Sequence, residues 1–193
     1  MVFNTFTKWW RMPAGTIHAY LKGLGVELMA ASDNVLRGGL TPKYVDVPEL
    51  LHVLQFVSLP VPYLEPEHPA PGVEVFQPDV IDFVLVRFAL GDVGGDGFAA
   101  SSAADVASAA SAGAVPPDAA TSAATDLLAA TTASYTPLGP AIVICTAGSL
   151  TVASATGEAV VSRGDSFYIT PDVGPLTVSG SGELFLAAPG AAA

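Results

Sequence analysis

The sequence predicts a mainly β protein, ending in an antiparallel sandwich or small jelly roll. Three observations carry that prediction. Short apolar segments recur at regular spacing near the end of the chain, at 141–146, 150–153, 159–162, 165–170, 176–178 and 183–187. Turn pairs separate them at Ala147-Gly148, Thr156-Gly157, Arg163-Gly164 and Ser179-Gly180. Capped-helix signals, by contrast, are few, the clearest being one short stretch after Asp46.

Length and charge narrow the possibilities. With 193 residues the chain forms one ordinary domain or two small ones. Its net charge of -11 argues against nucleic acid and anionic membrane as partners. Basic residues concentrate up to Lys43, after which only Arg87 and Arg163 remain, so positive charge is local to the first quarter, where an anionic ligand would find it. Cys145, the single cysteine, sits in the apolar run AIVIC and reads as a small buried hydrophobe. The opening MVFNTFTKWWRMP lacks the apolar core of a signal peptide, and no apolar run reaches the ~18 residues that span a bilayer. A cytoplasmic protein is expected.

Taken in order, residues 1–13 form an aromatic leader that offers no chemistry, with Phe3, Phe6, Trp9 and Trp10 on a short amphipathic turn at most. The stretch 14–43 then gathers most of the histidine-plus-charge chemistry. Strands at 16–21 and 25–29 around a Lys22-Gly23-Leu24 turn would form a hairpin. Strand alternation would put His18, Tyr20 and Glu27 on the face opposite the apolar set. Ser32-Asp33-Asn34 and Gly38-Gly39 mark a loop able to bring Arg37 towards that face, and Pro42 helps fix where Lys43 points.

Asp46, with Pro48 and Glu49 after it, caps a short helix whose buried stripe would be Leu50, Leu51 and Leu54, with His52 off the stripe. The proline-rich run PVPYLEPEHPAP predicts an extended, irregular crossover. Segments 73–76 and 81–90 read as strands, the second with Val84, Val86, Phe88 and Leu90 on its core face and Phe83, Leu85, Arg87 and Ala89 on the other. From 91 to about 134 the composition shifts to Ala, Ser, Thr, Gly and Asp, which cannot bury enough apolar area to offset ordering entropy. That stretch is expected to be a low-complexity loop insertion, with transient helix near 119–130.

From spacing alone, His18 reads as a satisfied core or surface histidine, and Glu27, Arg37 and Lys43 as solvated charges. The runs IHAYL, VELMAASDNVLRGGLTPK, VDVPELL and YLEPEHP, however, closely resemble the type I mannose-6-phosphate isomerases, zinc enzymes of the cupin superfamily. The strong resemblance covers 14–90, a weaker one runs from 135 to the end, and residues 1–13 do not resemble the family. It implies a cupin, jelly-roll architecture: a leader at 1–13, part of a catalytic barrel with a short helix at 14–65, and a second, cupin-like β-sandwich at 66–193 bearing the insertion at 91–134.

The resemblance also implies roles. His18 corresponds to a ligand of the catalytic zinc, Arg37 to the catalytic arginine, and Lys43 and Glu27 to active-site residues that contact the substrate; Tyr20 and Asp33 match positions near the pocket. The implied chemistry interconverts mannose 6-phosphate and fructose 6-phosphate through an enediolate. It needs a Lewis acid on the sugar oxygens, a base beside C2, and cations for the developing charge and the phosphate. Zinc is the expected cofactor and a small sugar phosphate the expected partner. The departure lies in the metal site: the family also uses a Gln-x-His pair and a Glu from an upstream half, whereas Gln55 and Gln77 sit in no such pattern. A catalytic zinc usually takes three protein ligands. The chain alone is therefore expected to be metal-poor and weak or inactive, the alternative being a non-catalytic remnant that binds a sugar phosphate or serves as an interaction module.

Overall fold

The computed structural model describes residues 9–19, 25–31, 35–58, 60, 62–91 and 130–191. Among them run β1 (Trp9–Trp10), α1 (Val47–Val53), β2 (Tyr63–Leu64), β3 (Glu67–Ala70), β4 (Val73–Phe76), β5 (Val84–Leu90), β6 (Thr132–Tyr135), β7 (Ala141–Ser154), β8 (Gly157–Ser162), β9 (Ser166–Ile169) and β10 (Leu176–Ala188). The architecture is mainly β and antiparallel, as the spacing of apolar segments predicts.

One sheet runs β3-β4-β5-β10-β7-β8, with β6 added to β10 and β9 to β7. It becomes a sandwich because β7 and β10 are long and turn a corner together. Their halves 141–144 and 182–188 pair with β9 and β5, whereas 149–154 and 176–179 pair with β8 and β6. The corner lies where Gly148 faces Gly182. Gly148 has φ 68°, and a Cβ on it would run into the carbonyl oxygen of Ser181. A register shift at Glu183/Leu184 adds a bulge there, a device by which strands pass from one layer to another. The sequence reading took Ala147-Gly148 and Ser179-Gly180 as strand-ending turns; they are instead bends inside two continuous strands.

The core between the layers is a single cluster. Val84, Val86, Phe88 and Leu90 of β5 join Val143 and Cys145 of β7, Leu176, Val178, Leu184 and Leu186 of β10, and Leu150, Val152 and Val161 of the other layer. The predicted core face of β5 is therefore correct, although the strand begins at Val84 rather than 81, and its second face is buried too.

Other expectations are corrected. The described parts of 16–21 and 25–29 contain no strand, because no neighbouring strand pairs with them among the described residues; Thr16 N donates locally to Pro13 O, and just before the stretch Gly15 O accepts from Gln55 N. The Lys22-Gly23-Leu24 turn lies outside the described residues. The α1 cap forms as expected, with Glu49 N donating to Asp46 Oδ1 at 3.1 Å. Its stripe is not buried, and Leu51 is 55% exposed, because no layer packs over it among the described residues. The proline-rich run is extended but not wholly irregular, since it carries β2 and β3. Pro69 is accommodated because β3 is an edge strand. The insertion ends earlier than about 134: β6 is a strand with Ala133 buried, while most of the segment, 92–129, lies outside the described residues.

Candidate functional site

The outer face of the β4-β5-β10 layer is apolar at one end. Phe76, Leu85 and Phe185 form a second cluster there, covered by Trp9, Val26, Leu28 and Leu64. Trp9 makes the closest ring contacts, 4.6 Å to Phe76 and 5.5 Å to Phe185. Its strand pairs with β2, Trp9 against Leu64 and Trp10 against Tyr63. The end of the aromatic leader is thus fastened to the sheet, with Arg11 N donating to Pro62 O.

A groove of about 520 Å³ opens where this cover meets the sheet. His18 and Glu27 both line it, beside Trp9, Trp10, Leu28, Phe76 and Leu85. Arg11 and Asp82 add further charge to its wall. An apolar lining with a few polar groups is the usual build of a small-molecule site, since lowered dielectric strengthens each polar contact. His18 is exposed, and its Nδ1 lies 3.3 Å from Thr16 O.

Not all the predicted site residues gather there. Arg37 and Lys43 are exposed and do not line the groove. Lys43 N donates to Thr41 Oγ1, a local turn contact. Tyr20 and Asp33 lie outside the described residues. Sequence reasoning missed Trp9, Trp10, Arg11 and Asp82 as lining groups. The signal for the first three was the tryptophan pair followed by a cation, read as a leader without chemistry; Asp82 carried none.

The fit to zinc can be tested on the donors present. Among the described residues no group of three His, Cys, Asp or Glu side chains is placed to hold a metal ion. His18 and the carboxylates of the groove do not by themselves make a zinc site.

A second charged cluster lies on the same sheet face. Arg87 Nη1 donates to Glu74 Oε2 at 2.8 Å, and its Nε donates to Glu183 Oε2 at 2.8 Å. Thr146, the extra residue of the bulge, donates through Oγ1 to the other oxygen of Glu183. All three charged residues are buried, Glu183 completely. Burial works against the guanidinium charge, but the two carboxylates and their hydrogen bonds outweigh it and hold the Arg87 pKa above its ordinary value. Elsewhere, burial followed by the charge of Glu67 raises the Tyr135 pKa, and burial raises that of the Cys145 thiol.

Comparison with known proteins follows the same outline. No family model matches the chain. It is 33% identical over 171 residues to the mannose-6-phosphate isomerase of Escherichia coli, covering 89% of this chain and 34% of that protein. It is 42% identical over 82 residues to the mannose-6-phosphate isomerase of Bos taurus, covering 39% of this chain and 19% of that protein. A crystal structure of the Salmonella typhimurium mannose 6-phosphate isomerase, bound to fructose 6-phosphate and zinc, superposes with a TM-score of 0.56 at 25% identity, over 84% of this chain and 32% of that one. The chain spans about a third of the length of the curated relatives it matches most fully. No described helix is long and apolar enough to cross a membrane. In sequence and in its cupin-type β fold, the chain is a homologue of part of the mannose-6-phosphate isomerases.

Proposed function

We propose that the chain carries the C-terminal part of a zinc-dependent mannose-6-phosphate isomerase, and that it interconverts mannose 6-phosphate and fructose 6-phosphate only together with the part of the fold it does not span. In this reading 14–65 is the end of the catalytic barrel and 66–193 a second cupin-like domain. His18 is one zinc ligand, and the others lie outside these 193 residues. A cytoplasmic setting belongs to the same reading and is supported by the free, buried thiol of Cys145.

The observation that carries the reading is that His18 and Glu27 line one groove in a chain 33% identical to an isomerase over 171 residues. Aldose-ketose isomerisation removes a proton from one carbon, returns one to its neighbour, and leaves an enediolate between. Glu27 is the hydrogen-bonding or basic group, Arg37 stabilises the enediolate, and Lys43 acts in proton transfer or electrostatically. Tyr20 and Asp33 contact the sugar. The roles of Arg37 and Lys43, which do not line the groove, rest on the sequence likeness to that isomerase.

A non-catalytic remnant that binds a sugar phosphate or serves as an interaction module is the second reading, and the mostly apolar groove with His18 and Glu27 on its wall fits it without a metal. Zinc content and isomerase turnover decide between them. They are measured on the purified chain, alone and mixed with a polypeptide made of the two-thirds of the Escherichia coli enzyme it does not match. Turnover and stoichiometric zinc in the mixture alone support the first reading. Phosphate binding without zinc or turnover in either sample supports the second.

A further inference from the structure

We infer that Arg11 is the phosphate anchor of the groove lined by His18 and Glu27, its guanidinium binding the phosphate of a sugar phosphate. The inference takes its ligand from the isomerase reading above. It adds to that reading a residue of the aromatic leader, which lies outside the resemblance to the isomerases.

Three successive residues hold the end of the leader against the groove. The ring of Trp9 lies 4.6 Å from that of Phe76 and 5.5 Å from that of Phe185. Trp10 pairs with Tyr63 across β1 and β2, with their rings 6.0 Å apart. Arg11 N then donates to Pro62 O at 3.1 Å. The backbone of Arg11 is therefore placed before any ligand arrives, which lowers the ordering cost of binding.

Charge decides the role. Arg11 is the only lysine or arginine among the described residues that line the groove, and Arg37 and Lys43 do not line it. Its side chain is exposed and makes no ion pair among the described residues. Glu27 and Asp82 share the wall; they accept hydrogen bonds from sugar hydroxyls but repel a phosphate, which leaves the guanidinium as the phosphate's permanent counter-charge. A guanidinium fork meets two phosphate oxygens at once, and the apolar lining strengthens that contact by lowering the local dielectric.

The chain has two tryptophans, Trp9 and Trp10, and both line the groove, so indole fluorescence reports its occupancy. The full chain is titrated with fructose 6-phosphate, fructose and inorganic phosphate, by fluorescence and by calorimetry. Arg11→Gln and Arg11→Lys are compared with wild type and with Arg163→Gln, which removes the same charge from a residue that does not line the groove. Fructose 6-phosphate should bind more tightly than either other probe and shift the indole emission. Arg11→Gln should weaken it about tenfold or more and leave fructose unaffected, Arg11→Lys should weaken it less because the charge stays while the fork is lost, and Arg163→Gln should match wild type. Equal fructose 6-phosphate affinity in wild type and Arg11→Gln overturns the inference, as does binding that leaves the indole emission unmoved or no binding at all. Inorganic phosphate bound as tightly as fructose 6-phosphate overturns the sugar-phosphate assignment. Arg11→Gln in a fusion with the unmatched two-thirds of the Escherichia coli enzyme separates the two readings. A raised KM at unchanged kcat supports both; turnover with unchanged KM keeps the isomerase reading and drops Arg11; Arg11-dependent binding without turnover does the reverse.

Discussion

Arg87 and Glu183, 96 residues apart in sequence, meet on the buried outer face of the sheet, where Nε and Nη2 of the arginine both lie 2.8 Å from one glutamate oxygen. Glu74, directly opposite Arg87 across β4 and β5, completes the cluster. Taking these charges out of water costs several kcal/mol per ion, so each depends on its partners.

Replacing Arg87 by methionine strands two buried carboxylates. The expected loss is about 3–5 kcal/mol of unfolding free energy. The combined variant Glu74→Leu, Arg87→Met, Glu183→Leu should recover most of that loss, since a matched apolar cluster carries no desolvation penalty. Urea denaturation of both variants checks the pair.

Gly148→Ala tests the corner of the sandwich. The new Cβ meets the Ser181 carbonyl oxygen, and the backbone sits at φ 68°. A loss of about 2 kcal/mol or more is expected, with strain and steric conflict acting together. Thermal unfolding of the variant measures it.

Trp9→Ala should loosen the cover over Phe76 and Phe185. Removing a partly buried tryptophan from such contacts is expected to cost about 2–3 kcal/mol, at or below the range for full burial. Trp9→Phe should restore part of it, because a ring is still present to pack. Denaturation midpoints report both, and hydrogen exchange at β1 and β2 shows whether the loss is local.

The pH dependence of stability should turn down on the alkaline side. Cys145 and Tyr135 both have raised pKa values in the folded state, from ordinary values of 9.0 and 10.0. The unfolded chain therefore releases these protons first, so the stability they contribute is full below pH 9 and is lost as pH rises through the folded values. Cys145→Ala should remove the earlier part of the decline and leave the part due to Tyr135. Melting temperatures between about pH 7 and 11 check this, that window bracketing the ordinary cysteine and tyrosine values.

How much of this was legible depended on whether a signal was local. The Asp46 cap, the core face of β5 and the strand content of the last sixty residues all follow from residues a few positions apart. Pairing does not. Ala147-Gly148 and Gly182 look like turn residues until they face one another across two long strands. The Arg87 cluster needs three strands and a bulge to come together, and Trp9 gains meaning only from rings far along the chain. The described parts of segment 14–43 carry no strand for the same reason: the alternation is genuine, but alternation describes a strand only when a neighbour takes its backbone hydrogen bonds. His18 and Glu27 nevertheless reach one groove, whereas Arg37 and Lys43 stay in solvent.

The most direct test of the isomerase reading is turnover of mannose 6-phosphate by the fusion of this chain with the missing two-thirds of the Escherichia coli enzyme, compared with the same fusion carrying His18→Ala. The reading predicts turnover in the first and a fall of roughly a thousand-fold or more in the second, with its zinc lost, since a metal's charge stabilisation is worth several kcal/mol. Equal turnover and equal zinc in the two fusions would contradict it.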